Sequence, residues 1–166
     1  MDYIAKVKFA ISFIGVMNSL TLKERGFAEF VSLKGLAYPT LPLDKSSVIV
    51  LSDSTSAGKP ASDILYIGKS KKPAKRIFGG YLSGYGGKNT RRIHSMLSND
   101  GVLEKISVSW METENPKIAQ QELLESFKKE HGQYPAWNTL KPKAKAQPKS
   151  KVTKKVARPR RPRKTN

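Results

Sequence analysis

The apolar residues fall into a few short runs whose spacing changes from element to element. Val48-Ile49-Val50-Leu51, inside Ser47–Ser52, is a β-branched apolar block of the kind that fills a strand buried on both faces. A polar loop holding Gly58 and Pro60 separates it from a second short strand, Ile64–Gly68, so the two form a hairpin with a long connection. The period then changes to that of a helix. Pro73 suits a first turn, with Ile77, Tyr81 and Leu82 on the apolar side. After Gly84-Tyr85-Gly86-Gly87, Thr90 is placed to cap a helix running through Leu97. Ile106, Val108 and Trp110 alternate with polar neighbours as in a half-buried strand. Asn115-Pro116 opens a last helix, carried by Ile118, Ala119, Leu123, Leu124 and Phe127 and closed by Gly132.

The order strand, strand, helix, helix, strand, helix predicts an α+β domain with a small, mostly antiparallel three-stranded sheet flanked by helices. Upstream, the pattern predicts a helical extension over 1–46. One helix is expected at about residues 3–18 and another at Thr21–Ser32, before Pro39 and Pro42 break the chain. Downstream of the domain at 47–138, residues 139–166 read as a disordered tail of Lys, Arg and Pro with too few apolar anchors to offset its ordering entropy.

Charge adds what hydropathy does not. The 166 residues carry 31 Lys and Arg against 13 Asp and Glu, a net charge of +18. Twelve of the basic residues and none of the acidic ones lie in 139–166, leaving 19 against 13 for the rest. Between Ile64 and Asn99 there is again no acid, but Lys69, Lys71, Lys72, Lys75, Arg76, Lys88, Arg91 and Arg92 alternate with Tyr66, Phe78, Tyr81, Tyr85 and His94. A basic face with interleaved aromatics suits a phosphate backbone and unstacked bases. The partner expected is nucleic acid, DNA ahead of RNA, in the cytoplasm or on the nucleoid, or in the nucleus of a eukaryote. No apolar stretch is long enough to span a bilayer, so no membrane partner is expected. The absence of cysteine excludes a disulfide framework, a thiolate metal site and a cysteine nucleophile, and two histidines exclude a histidine-rich metal site.

Tyr66-Ile67-Gly68-Lys69-Ser70, with Arg76 ten residues past the tyrosine and Leu123-Leu124-x-x-Phe127 ahead of Pro135-Ala136-Trp137-Asn138, resembles the GIY-YIG nuclease family over residues 47–138. The resemblance implies metal-dependent hydrolysis of a phosphodiester. It assigns Tyr66 to handling the attacking water, Arg76 to stabilising phosphate charge, and a glutamate of the last helix to binding Mg²⁺ or Mn²⁺. Asn138 matches the terminal asparagine and Gly68 the structural glycine. Lys69, Lys72 and Lys75 would line the phosphate path, with Arg91, Arg92 and His94 beside it.

Two positions depart from the family. The first tripeptide falls on Ser47-Val48-Ile49, so Ile49 stands where the family has its first tyrosine. The metal-binding glutamate falls on Gln120, whose neutral carbonyl holds a hard dication far more weakly than a carboxylate. Glu122, about 200° further round the helix, is the candidate ligand if the helix register shifts, and Glu125 is the next. Three readings remain at this point: an endonuclease using Tyr66, Arg76 and Glu122; a catalytically degenerate domain that binds DNA or RNA; and a structural component of a ribonucleoprotein.

Overall fold

The computed structural model describes residues 16–42, 44–56 and 62–138. The predicted helix at 3–18 and the tail at 139–166 therefore lie almost wholly outside the described residues. Among the described residues, three α-helices, α1 (Ser19–Glu24), α2 (Lys88–Leu97) and α3 (Pro116–His131), join a π-helix at Lys75–Leu82 and four strands. The strands are β1 (Val31–Ser32), β2 (Ser47–Asp53), β3 (Ile64–Ser70) and β4 (Ile106–Glu112), in one antiparallel sheet ordered β1-β4-β2-β3.

The predicted α+β architecture stands, but the sheet has four strands where three are expected. The extra strand comes from the segment assigned to a helix at Thr21–Ser32. Asn18 caps α1 by accepting from the Leu20 and Thr21 amides, and the helix ends after one and a half turns at Gly26, whose φ of 90° is left-handed. Beyond it the chain is extended and satisfies the open edge of β4. Ala28 N–H donates to the Trp110 carbonyl at 2.9 Å, Leu33 N–H donates to the Ile106 carbonyl at 2.9 Å, and Val31 pairs with Val108. The Phe27, Phe30 and Val31 pattern thus serves two faces of a sheet, where helical spacing had placed them on one side.

β2 lies between β3 and β4 and divides the interior into two cores, which is why its apolar run is unbroken. Ile49 and Leu51 pack with Ala74, Ile77, Tyr81, Ile93 and Leu97 beneath the π-helix and α2. Val48 and Val50 pack on the opposite face with Leu22, Phe27, Leu123 and Phe127 from α1 and α3. Truncating Ile49, which is fully buried, to alanine would cost about 3 kcal/mol. A buried anchor ties α1 to this frame: the Asp63 carboxylate accepts from the Ser19 amide at 2.9 Å and from the Ser19 hydroxyl. α3 begins at Pro116 and ends on Gly132 at φ 74°, as its sequence predicts.

Candidate nucleic-acid interface

The geometry of Tyr66 begins with an irregularity in the β2–β3 ladder. Leu51 pairs with Tyr66 but Ser52 pairs with Ile64, so Leu65 is an extra residue, and both Leu65 and Tyr66 pack toward the helices. The Tyr66 ring folds back over Gly68. A Cβ at Gly68 would lie 2.5 Å from Tyr66 Cε1 and 2.9 Å from its hydroxyl, so only glycine admits this ring position. Ile49 is the cross-strand partner of Gly68 and is fully buried.

Tyr66 meets Tyr81 edge to face, with centroids 5.9 Å apart. Burial raises the Tyr81 phenol well above its usual range. Repulsion from an ionised Tyr66 and a hydrogen bond with Tyr66 act in the same sense, and Arg76 partly offsets them. Tyr81 is 1% exposed and stays protonated. Half-buried Tyr66 is the member of the pair within reach of solvent.

Arg76, on the π-helix, donates from Nη1 to Thr90 Oγ1 at 2.7 Å. Thr90 is the interior, buried residue that receives this bond, whereas the sequence placed it as the cap of α2. The helix starts two residues earlier, behind Gly87, with no side-chain cap. Gly80 makes the close approach possible: a Cβ there would meet Thr90 Cγ2 at 2.6 Å, the Tyr85 carbonyl oxygen at 3.5 Å and Arg76 Cδ at 3.7 Å. Arg76, Thr90 and the Tyr85 backbone therefore converge on one point. His94 adds a brace, its Nδ1–H donating to the Tyr81 carbonyl at 3.0 Å, since a carbonyl can only accept. Its ring closes against Gly84, which has a φ of 77°.

The outer edge of β3 is satisfied by side chains. Ile67 N–H donates to Asn138 Oδ1 at 2.7 Å, and Asn138 Nδ2 donates back to the Ile67 carbonyl at 2.8 Å, so a buried asparagine stands in for a neighbouring strand. The same carbonyl accepts from Gln120 Nε2 at 3.0 Å, and Gln120 Oε1 accepts from Lys69 Nζ at 2.8 Å. Arg92 Nη2 donates to the Trp137 carbonyl and fastens α2 to the turn at Ala136–Asn138.

The sequence-predicted residues thus separate into two groups. Tyr66, Gly68 and Arg76 come together with Tyr81 and Thr90. Lys69, Gln120 and Asn138 form a second network along the strand edge. The side chains of Lys72, Lys75 and Arg91 are exposed and belong to neither network, while Arg92 and His94 brace the backbone. Glu122 is exposed on α3, and Glu125 accepts from the Tyr134 hydroxyl at 2.8 Å.

These residues do not fit a divalent ion. At Gln120, where the resemblance would put a metal ligand, an amide oxygen faces the Lys69 ammonium at 2.8 Å, and that positive charge would repel a dication. Among the described residues no group of three His, Asp or Glu side chains is arranged to hold a metal. Nor is any described helix long and apolar enough to cross a membrane. No protein-family model matches the chain, and no curated protein or solved structure matches it.

Sequence reasoning missed Tyr81 and Thr90 as members of the Arg76 cluster. Tyr81 carried only the signals of an apolar helix position and of one aromatic among the basic residues, and Thr90 that of a cap. It also missed the lysine on Gln120. There the available signal was the basic residue two places past Ile67, on the strand whose edge α3 approaches.

Proposed function

We propose that this chain is a nucleic-acid-binding protein on a GIY-YIG-like scaffold that grips a phosphate backbone without hydrolysing it, as a DNA- or RNA-binding or ribonucleoprotein module. One observation carries the reading: Lys69 occupies the oxygen of Gln120, the position at which the resemblance calls for a metal-bound carboxylate. The acid-free stretch from Ile64 to Asn99 supports binding, because it accompanies Tyr66 and Arg76 with seven further basic residues and no competing anion. Lys72, Lys75 and Arg91 supply exposed charge, and the basic segment 139–166 adds affinity that needs no sequence recognition. DNA is the first candidate partner.

The test is affinity as a function of salt. A labelled duplex should bind the full chain with a steep decline in log affinity against log salt, and cutting after Asn138 should flatten that slope as fewer counterions are released. Binding that ignores salt would contradict the reading.

A second reading, a GIY-YIG-type endonuclease, is favoured by the closeness of Tyr66, Tyr81 and Arg76, which leaves a phenol and a guanidinium near one another. It would require Glu122 to take Mg²⁺ or Mn²⁺, and Glu122 is on the exposed side of α3. Nicking of plasmid DNA that Arg76→Ala abolishes would establish this reading over the first.

A further inference from the structure

The loop between the π-helix and α2 holds an aromatic ring out from an otherwise basic surface. Tyr85 is 78% exposed, the most exposed large hydrophobic side chain among the described residues. Exposure of this size costs hydrophobic stabilisation that a folded-in ring would gain, yet the backbone carrying it is tied down on both sides. Tyr85 N–H donates to the Gly79 carbonyl at 2.8 Å, and Gly84 N–H donates to the Gly80 carbonyl at 2.8 Å. Gly84 is wedged against His94, and Gly86, with a φ of 135°, lies against Thr90, where a Cβ would sit 3.2 Å from two Thr90 carbons. A fixed loop thus presents the ring. A loop backbone tied down this way leaves only the side-chain rotamer to be ordered on contact with a partner.

The surroundings specify the partner's chemistry. The Tyr85 carbonyl and Arg76 Cδ both border Gly80, so the backbone that carries the ring lies beside the Arg76 side chain. Lys88 and Arg91 follow within two turns of α2, both exposed, and the nearest acids in sequence are Asp63 and Asp100. An aromatic face beside a row of cations matches a chain of anions carrying unpaired planar bases. A fully paired duplex offers the anions but keeps its bases stacked internally.

We propose that Tyr85 stacks on an unpaired base, with Arg76, Lys88 and Arg91 on the flanking phosphates, so that the protein's preferred partner is single-stranded or locally unpaired nucleic acid. This rests on the nucleic-acid-binding reading above and narrows its substrate class. The Tyr85 side chain belongs to neither of the two cores, so its replacement leaves the fold intact.

The experiment is fluorescence anisotropy of the full chain with labelled oligothymidylate, labelled oligouridylate and a fully paired duplex of equal length, at fixed salt. Tyr85→Ala is expected to weaken single-strand binding about tenfold, the scale of one lost stacking contact, and to leave duplex binding nearly unchanged. Tyr85→Phe should retain wild-type affinity because it keeps the ring. The larger loss between the two oligomers identifies DNA or RNA as the strand preferred. Equal losses on duplex and single strand would overturn the proposal, as would no loss on either single strand. If Arg76→Ala still weakens binding in those cases, the nucleic-acid reading survives without base stacking. A wild-type chain that binds none of the three probes removes both. Binding to phosphatidylserine vesicles that depends on Tyr85, with none to the oligomers, would overturn the proposal in favour of a membrane surface.

Discussion

Two networks flank β3, and they differ in what they leave available. On the helix side, Tyr66, Arg76, Tyr81 and Thr90 make a cluster in which a half-buried phenol and a guanidinium border solvent. On the outer edge, Asn138, Gln120 and Lys69 spend their polar atoms on Ile67 and on one another. The first arrangement retains groups that can meet a phosphate. In the second, Gln120, the position that the family resemblance connects with metal binding, is committed with Asn138 to holding a strand in place. The contrast shows why position in a motif is insufficient: Asn138 matches the residue the resemblance calls for and Gln120 replaces the glutamate it calls for, and the hydrogen bonds of both define a structural task.

The largest expected effect lies on the strand edge. Asn138→Ala would leave the buried Ile67 amide without its acceptor and should lower unfolding free energy by about 3 kcal/mol. Denaturant titration checks this, and a loss below about 1 kcal/mol would mean that the edge does not depend on the asparagine. Gly68→Ala should cost about 2 kcal/mol, because its Cβ collides with the Tyr66 ring. It should also weaken nucleic-acid binding by displacing that ring, which ties the two sides of β3 together. Unchanged stability in this variant would show that Tyr66 is free to move aside.

Tyr81→Phe should cost about 1 kcal/mol at neutral pH by removing one hydrogen bond from the helix-side cluster. Its pH dependence sharpens the assignment. Burial raises the folded-state phenol above its ordinary 10.0, so the folded chain keeps a proton that the unfolded chain releases. The stability attached to Tyr81 is full below pH 10.0 and is lost as pH rises from there through the raised folded value. The wild type should therefore lose stability more steeply above pH 10.0 than Tyr81→Phe, and parallel curves would contradict the burial argument. The smallest effect is expected for Gln120→Glu. The new carboxylate would pair with Lys69 near the surface but give up the Nε2 donation to the Ile67 carbonyl, which Asn138 still satisfies, for a net change of about 0.5 kcal/mol. Mg²⁺ should not raise its melting temperature. A rise that titrates with Mg²⁺ would mean that the carboxylate prefers the ion to the lysine.

Much of this frame was legible in the residues. The unbroken run Val48–Leu51 announced a strand covered on both faces, and Pro116 with Gly132 bounded α3. These signals are local, set by side-chain pattern and backbone preference. The N-terminal segment misled because its third and fourth residues repeated at helical spacing, while the need to complete the β4 edge, a tertiary demand, made it extended beyond Gly26. Thr90 misled for a similar reason. Threonine suits a cap, but Gly80 lets α2 approach so closely that Thr90 becomes the buried acceptor for Arg76. At the candidate site, it was the family resemblance that implied the grouping of Tyr66, Gly68 and Arg76, and the three lie close together in the fold. The contact between Lys69 and Gln120 spans 51 positions and depends on where α3 crosses the strand edge, which no local pattern encodes.

The central claim, that the protein holds nucleic acid without cutting it, is tested most directly by one assay on supercoiled plasmid. Binding and nicking are followed in the same samples across a range of Mg²⁺ and Mn²⁺, for the wild type, Arg76→Ala and Gln120→Glu. The account predicts retarded but intact plasmid with the wild type, weaker retardation with Arg76→Ala, and no nicking with any of the three. Metal-dependent nicking by the wild type that disappears in Arg76→Ala would contradict it.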